Sequence, residues 1–240
     1  MRTRILKADC QTDQTAITRR SARDCLSWTL VGLALALVAG GFLGADRWFY
    51  EHVSQRLNTE EHPLDNDFYA LTKPFWLICR YAFGHVLGGV VIYVAVVLLH
   101  RRSWSAANAG LVAVLLASLA VNLAKPAVGR LRPNQSTTHL AFTQPALGLA
   151  RGENVSFPSG EAATAFALAC VLRRLFPRWT GLFLVSALLA AGSRLVNGAH
   201  YLSDVGAGAL LGLLIAQGVM SLAARYWTGP ARPEDGAVST

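Results

Sequence analysis

The sequence predicts an all-α integral membrane protein of six transmembrane helices, with its site at the non-cytoplasmic membrane face. Three observations lead there. Hydrophobic residues make up 53% of the 240 and charged residues only 15%, against roughly 25% charged in soluble domains. Long apolar runs recur along the chain, each closed by basic residues or turn signals. The net charge of +8 lies largely at the ends of those runs. That placement fits membrane topology and anion binding, and excludes a nucleic-acid binder, which would carry a charged soluble surface.

Residues 1–25 are polar and basic, with Arg2, Arg4, Lys7, Arg19, Arg20 and Arg23, and read as a cytoplasmic tail. Leu26–Ala45 is a charge-free run of spanning length. A signal peptide is the competing reading, since Leu43-Gly44-Ala45 resembles a cleavage site, but the basic leader is long for one. Residues 46–78 begin with an acid-rich stretch, including Asp46, Glu51, Glu60, Glu61, Asp65 and Asp67, and read as a periplasmic segment. Its aromatic residues Trp48, Phe49, Tyr50, Phe68, Tyr69 and Trp76 suit an interfacial belt or an amphipathic cover over a site.

The second span is expected over Tyr81–Leu99, before His100-Arg101-Arg102, and the third over Ala106–Ala124, before Lys125. Pro126 and Pro133 are expected to break the helix, opening a periplasmic loop over 125–157. A fourth helix runs from Pro158 to Leu172, a fifth from Arg178 to Ala191 and a sixth from His200 to about Ala224. The membrane domain is therefore 26–224, and 225–240 is a second polar tail. Six spans put both termini on one side. The amino-terminal tail, Arg101-Arg102, Arg173-Arg174-Arg178 and Arg225 share that side, which the positive-inside rule makes cytoplasmic. Gly40/Gly44, Gly84/Gly88 and Gly208/Gly212 have the spacing of close helix packing.

The same count brings three polar islands to the opposite face. The first holds Lys125, Arg130 and Arg132-Pro133. A basic cluster on the non-cytoplasmic side runs against the topology trend, and phosphate binding is a reason for it. The second is Pro158-Ser159-Gly160-Glu161 at a helix amino terminus, where unpaired amides and the helix dipole favour an anion. Taken alone it also reads as an ordinary serine cap with an acidic first turn. The third is Ser193-Arg194, then His200 and Asp204. A histidine and a carboxylate four apart share a helix face, and the carboxylate can fix the imidazole tautomer. A metal site is not expected: between Arg101 and Ala224 the only acids are Glu153, Glu161 and Asp204, too few oxygen ligands for magnesium or calcium. The four cysteines, Cys10, Cys25, Cys79 and Cys170, have no CxxC spacing and suggest neither a zinc site nor a disulfide framework.

Together the islands resemble the signature of the type 2 phosphatidic acid phosphatase superfamily of lipid phosphatases. That pattern is Lys, six residues, Arg-Pro; then Pro-Ser-Gly-His; then Ser-Arg, five residues, His, three residues, Asp. Lys125 to Pro133, Pro158 to Gly160, and Ser193 through His200 to Asp204 match in spacing. The resemblance implies a metal-independent phosphatase of a bacterial inner membrane, without a cofactor. By similarity His200 is the nucleophile, forming a phosphohistidine, with Asp204 orienting it. Lys125, Arg132, Ser159, Gly160 and Arg194 hold the phosphate. Arg130 is not a family position and reads as a helper for a second phosphate or a lipid headgroup.

Glu161 departs from the family histidine, which protonates the leaving group. It takes over the acid role, shifts the substrate toward better leaving groups, or marks a weakened enzyme. Lipid A-like glycolipids and undecaprenyl diphosphate lead the substrate candidates, followed by phosphatidylglycerol phosphate and phosphatidic acid. A phosphotransferase, a non-catalytic phospholipid-binding membrane protein and an anion transporter are the competing functions.

Overall fold

A computed structural model describes residues 25–55, 63–99, 104–136, 138–143 and 155–227. The two polar tails lie outside the described residues. The described elements are helical, apart from two isolated backbone bridges, Arg130 with Phe142 and Leu131 with Val155. Seven helices carry the fold: α1 Cys25–Ser54, α2 Pro63–Cys79, α3 Val86–Leu99, α4 Trp104–Val128, α5 Gly160–Leu175, α6 Thr180–Val196 and α7 Leu202–Trp227. Among the described residues, α1, α4, α6 and α7 are long and apolar enough to cross a membrane. Residues 71–84 and 86–98 form a further bent pair, meeting at 69°, that makes a fifth span if read as one.

Helix α5 sits at the centre. Its residues from Ala162 to Arg173 are all buried. It is only 16 residues long, about 24 Å at 1.5 Å per residue and so short of a bilayer core. α7, α6 and α4 pack around it. Ala162, Ala163, Ala165, Ala167 and Ala169 let neighbours come close. α7 answers with Gly208 and Gly212: a Cβ at either would collide with the carbonyl oxygen of Ser159 or Ala163, one turn apart on α5. This GxxxG pair sets the tightest helix approach at the site. The other two pairs behave differently. Gly40 and Gly44 face open space, and Gly88 instead lies under the Tyr81 carbonyl at the α2–α3 bend.

Outward faces carry the apolar surface that a bilayer covers, including Leu33, Leu37, Val91, Leu119, Leu123, Leu182 and Leu188. At one end of the bundle Arg173 donates to Ser27 and Arg174 to Ser221, tying the end of α5 to the start of α1 and the end of α7. The polar islands gather at the other end.

Three local expectations change. The helix that starts at Cys25 does not stop at Ala45: it continues to Ser54 through wide turns, carrying Asp46 into the protein interior. Much of the stretch read as a polar segment is helical, as the end of α1 and as α2, which runs through Pro74 into a wide turn at Arg80–Gly84. Pro126 does not end α4: it lies in the last turn, where the Gly129 amide closes the helix on the Lys125 carbonyl at 3.0 Å. A proline that close to a helix end removes only one ladder bond.

Candidate active site

The site forms where α5 starts, α6 ends and α7 starts. Ser159 caps α5 from an extended conformation, and its hydroxyl accepts from the Ala162 amide at 3.4 Å. Its own amide donates to the Asp204 carbonyl at 2.9 Å. The hydroxyl therefore accepts within the cap and keeps its proton to donate. Gly160 opens α5, a position whose backbone N–H has no intrahelical acceptor.

α6 ends in a turn that returns the chain at once. Asn197 caps through its amide and side chain on the Ser193 carbonyl, Gly198 adopts φ 60°, and the Ala199 amide bonds the Arg194 carbonyl at 3.1 Å. This turn delivers His200, 4% exposed, beside Asp204, which is fully buried. The imidazole Nδ1 stands 3.7 Å from Asp204 Oδ2, longer than a hydrogen bond. That oxygen already accepts from the Tyr201 amide at 2.8 Å. Burial pushes the His200 imidazole below its ordinary range; Asp204 opposes the shift, while Arg194 and Lys125 add to it. A neutral imidazole is the form able to attack an electrophile.

Lys125 and Arg132 are half-buried, and Arg194 is buried at the end of α6. Lys125 lies within electrostatic reach of Arg132, Glu161, Arg194 and Asp204, and Arg194 within reach of Arg132 and Arg80. The three separate islands thus meet in one cluster. Cations beside a buried histidine, a serine hydroxyl and a helix amino terminus are groups that can cradle an anion against the imidazole.

Two residues take up unexpected places. Glu161 is clamped between arginines: Arg80 Nε donates to its Oε1 at 2.9 Å, and Arg194 Nε pairs with Oε2 at 2.8 Å. Arg80 was invisible in the sequence as a site residue. It lies 81 positions before its partner, between the stretch read as a periplasmic segment and the expected second span. Arg130, read as a helper for a second phosphate, is fully buried. Its guanidinium makes five hydrogen bonds, to Asp46, Ser203, Asp204 and twice to the His139 carbonyl. Those occupy all five N–H donors of an arginine, so none is left for a ligand.

In a helical membrane protein, clustered cations and a helix amino terminus beside a buried histidine fit the class of membrane phosphatases. Residues 106–227 match the model of the PAP2 superfamily. Over 154 residues the chain is 33% identical to a lipid A 4′-phosphatase of Bacteroides thetaiotaomicron, covering 60% of this chain and 68% of that one. Over 100 residues it is 39% identical to a lipid A 1-phosphatase of Rhizobium etli, covering 41% of this chain and 42% of that one. The fold is similar to that of a transmembrane PAP2-type phosphatidylglycerolphosphate phosphatase from Bacillus subtilis, with a TM-score of 0.54, 21% identity, and 83% and 96% of the two chains covered. The chain belongs to the PAP2 superfamily, and it is an enzyme, a phosphatase of that type.

Proposed function

We propose that this protein removes phosphate from a lipid A-type glycolipid, through a phosphohistidine on His200. The observation that carries the reading is the gathering of Lys125, Arg194 and the capped start of α5 around His200 and Asp204, with Arg132 beside Lys125 and Arg194. The named activities of the Bacteroides and Rhizobium relatives supply the substrate class. Among the six expected spans α5 is the short central one, the termini are cytoplasmic, and the site opens at the periplasmic face of the inner membrane. There a headgroup enters the cradle while its acyl chains stay in the bilayer.

Asp204 faces Nδ1, so Nε2 attacks phosphorus in line. A P–N bond forms, the P–O bond to the lipid breaks, and the lipid leaves as an alkoxide that takes a proton from solvent water. Lys125, Arg132, Arg194, Ser159 and the Gly160 amide hold the equatorial oxygens, whose charge is already high in the transition state. Water then attacks phosphorus, the P–N bond breaks, and phosphate departs. No resident metal is needed for either step.

Glu161 accepts from Arg80 and pairs with Arg194. We assign it to holding Arg194 against the phosphate, not to protonating the leaving group. A site without a dedicated acid favours leaving groups that need little help. The anomeric hydroxyl of a sugar 1-phosphate is one, and undecaprenyl diphosphate, which leaves as a phosphate, is the second reading that the same feature favours.

Phosphate release by the purified protein in detergent, with chelator present, tests the proposal. The panel is lipid A, undecaprenyl diphosphate, phosphatidylglycerol phosphate and phosphatidic acid, with His200→Ala alongside. Release from lipid A, absent in the variant, is expected. Release from undecaprenyl diphosphate alone would replace the substrate. Release from none would favour the non-catalytic lipid-binding reading.

A further inference from the structure

Behind Asp204 lies a buried ionic cluster that the phosphate cradle does not use. Asp46 from α1, Arg130 after α4, and Ser203 and Asp204 at the start of α7 are each 1% exposed or less. Arg130 Nη1 donates to Asp204 Oδ1 at 2.7 Å, and Nη2 donates to Asp46 Oδ2 at 2.8 Å. The Ser203 hydroxyl accepts from Arg130 and donates to Asp46, each at 2.5 Å. Asp46 Oδ1 accepts from the Ser203 amide at 2.8 Å. The guanidinium plane is fixed as well, with Tyr201 and Phe42 rings 4.3 and 4.9 Å from its centre.

This arrangement exceeds what anchoring a loop requires. Isolated buried charges are strongly unfavourable, and a buried pair is tolerated only when its hydrogen bonds are complete. Here two carboxylates share one guanidinium, and each carboxylate has a second donor: Asp46 takes the Ser203 groups and Asp204 takes the Tyr201 amide. The α1 backbone closes on it, since a Cβ on Gly41 would collide with Asp46 and Ser203. Asp46 lies outside the 106–227 segment that carries the family match.

We propose that Asp46 and Arg130 are positioning residues for the nucleophile. Arg130 fixes the Asp204 carboxylate so that its Oδ2 faces His200, and Asp46 fixes Arg130 and offsets its charge. Without Asp46 the full cation acts on Asp204, which then supports charge on His200 less well. The other charged groups around His200 are Lys125 from α4 and Arg194 from α6, with Glu161 of α5 and Arg132 next to them. The inference rests on the assignment of His200 as nucleophile, and its test includes a readout that does not need turnover.

The variants are Asp46→Asn, Arg130→Lys and the double variant Asp46→Leu/Arg130→Met, in the full chain in detergent. Kinetics on the best lipid phosphate and a 13Cε1-histidine NMR titration of His200, assigned with His200→Ala, are measured on each. Asp46→Asn is expected to lower kcat by about 10–100-fold, the scale seen when a metal-bound histidine loses its outer-shell partner. Its KM stays within about twofold, because Asp46 touches no substrate, and the His200 titration moves to lower pH. Arg130→Lys keeps the charge but not the fork, and retains intermediate activity. The double variant removes both charges together and so regains stability relative to Asp46→Asn, yet its kcat stays low. A wild-type kcat in the double variant, or an unmoved His200 titration in Asp46→Asn, would overturn the proposal and leave the cluster a purely structural clamp. A moved titration in a protein that hydrolyses no lipid phosphate would uphold the positioning and reject the phosphatase reading.

Discussion

The amide of Ser159 donates to the backbone carbonyl of Asp204 at 2.9 Å. That bond joins the helix cap at the start of α5 to the residue that faces His200. It exists because α7 approaches α5 at Gly208, where no side chain intervenes. The distance between cradle and histidine is therefore set by helix packing.

Gly208→Ala should disturb both. The added Cβ meets the Ser159 carbonyl, and overpacking costs about 1–3 kcal/mol, outweighing the gain in helix propensity of about 1 kcal/mol. Thermal unfolding in detergent should show a lower midpoint, with reduced kcat. Gly218→Ala, also on α7 but facing open space, is the control and should cost no stability. Equal behaviour of the two would mean that close packing at Gly208 does not set the site.

Glu161→Gln keeps the shape and removes the charge that pairs with Arg80 and Arg194. It is expected to lower kcat/KM on every substrate, by about tenfold for a lost charge-assisted contact of 1.4 kcal/mol. Glu161→His restores the histidine of the family pattern, and should raise turnover of phosphatidic acid relative to a sugar 1-phosphate. If Glu161→Gln instead spared diphosphates and abolished only monoesters, Glu161 would be the general acid.

Much of this site was legible in the sequence because its parts are local. His200 and Asp204 are four apart, Ser193-Arg194 precedes them by one turn, and Ser159-Gly160 sits where a helix must start after Pro158. Span counting expected the islands on one face, although it counted six spans where the described residues hold four helices of spanning character, or five with the bent pair. What escaped is what depends on distant partners. Arg80 reaches Glu161 across 81 positions and Asp46 reaches Ser203 across 157. No periodicity encodes such pairs. Asp46 looked like the end of a span because it is the first charge after an apolar run, and a buried charge looks the same in sequence as an exposed one. The α2–α3 bend was hidden for a related reason: His85 turns to an extended conformation with no proline to announce it.

The pH profile follows from the burial of His200. Its imidazole is held below the ordinary range, with Asp204 opposing, and in the proposed mechanism only the neutral form attacks. The acid limb of kcat/KM should therefore fall below the ordinary value of about 6.5. Stability has the same sign. As pH drops through that range the unfolded chain takes a proton that the folded site refuses, so stability falls until the folded imidazole titrates. A limb above the ordinary value would mean that Asp204 outweighs burial.

In the proposed mechanism His200 carries the phosphoryl group. The direct measurement is rapid alkaline quenching of the enzyme with 32P-labelled lipid phosphate, followed by peptide mass spectrometry. Label that is stable to alkali, lost in acid and located on the peptide containing His200 is the predicted result. It should be absent from His200→Ala, which also releases no phosphate. Turnover in His200→Ala, or label on another residue, would contradict the account.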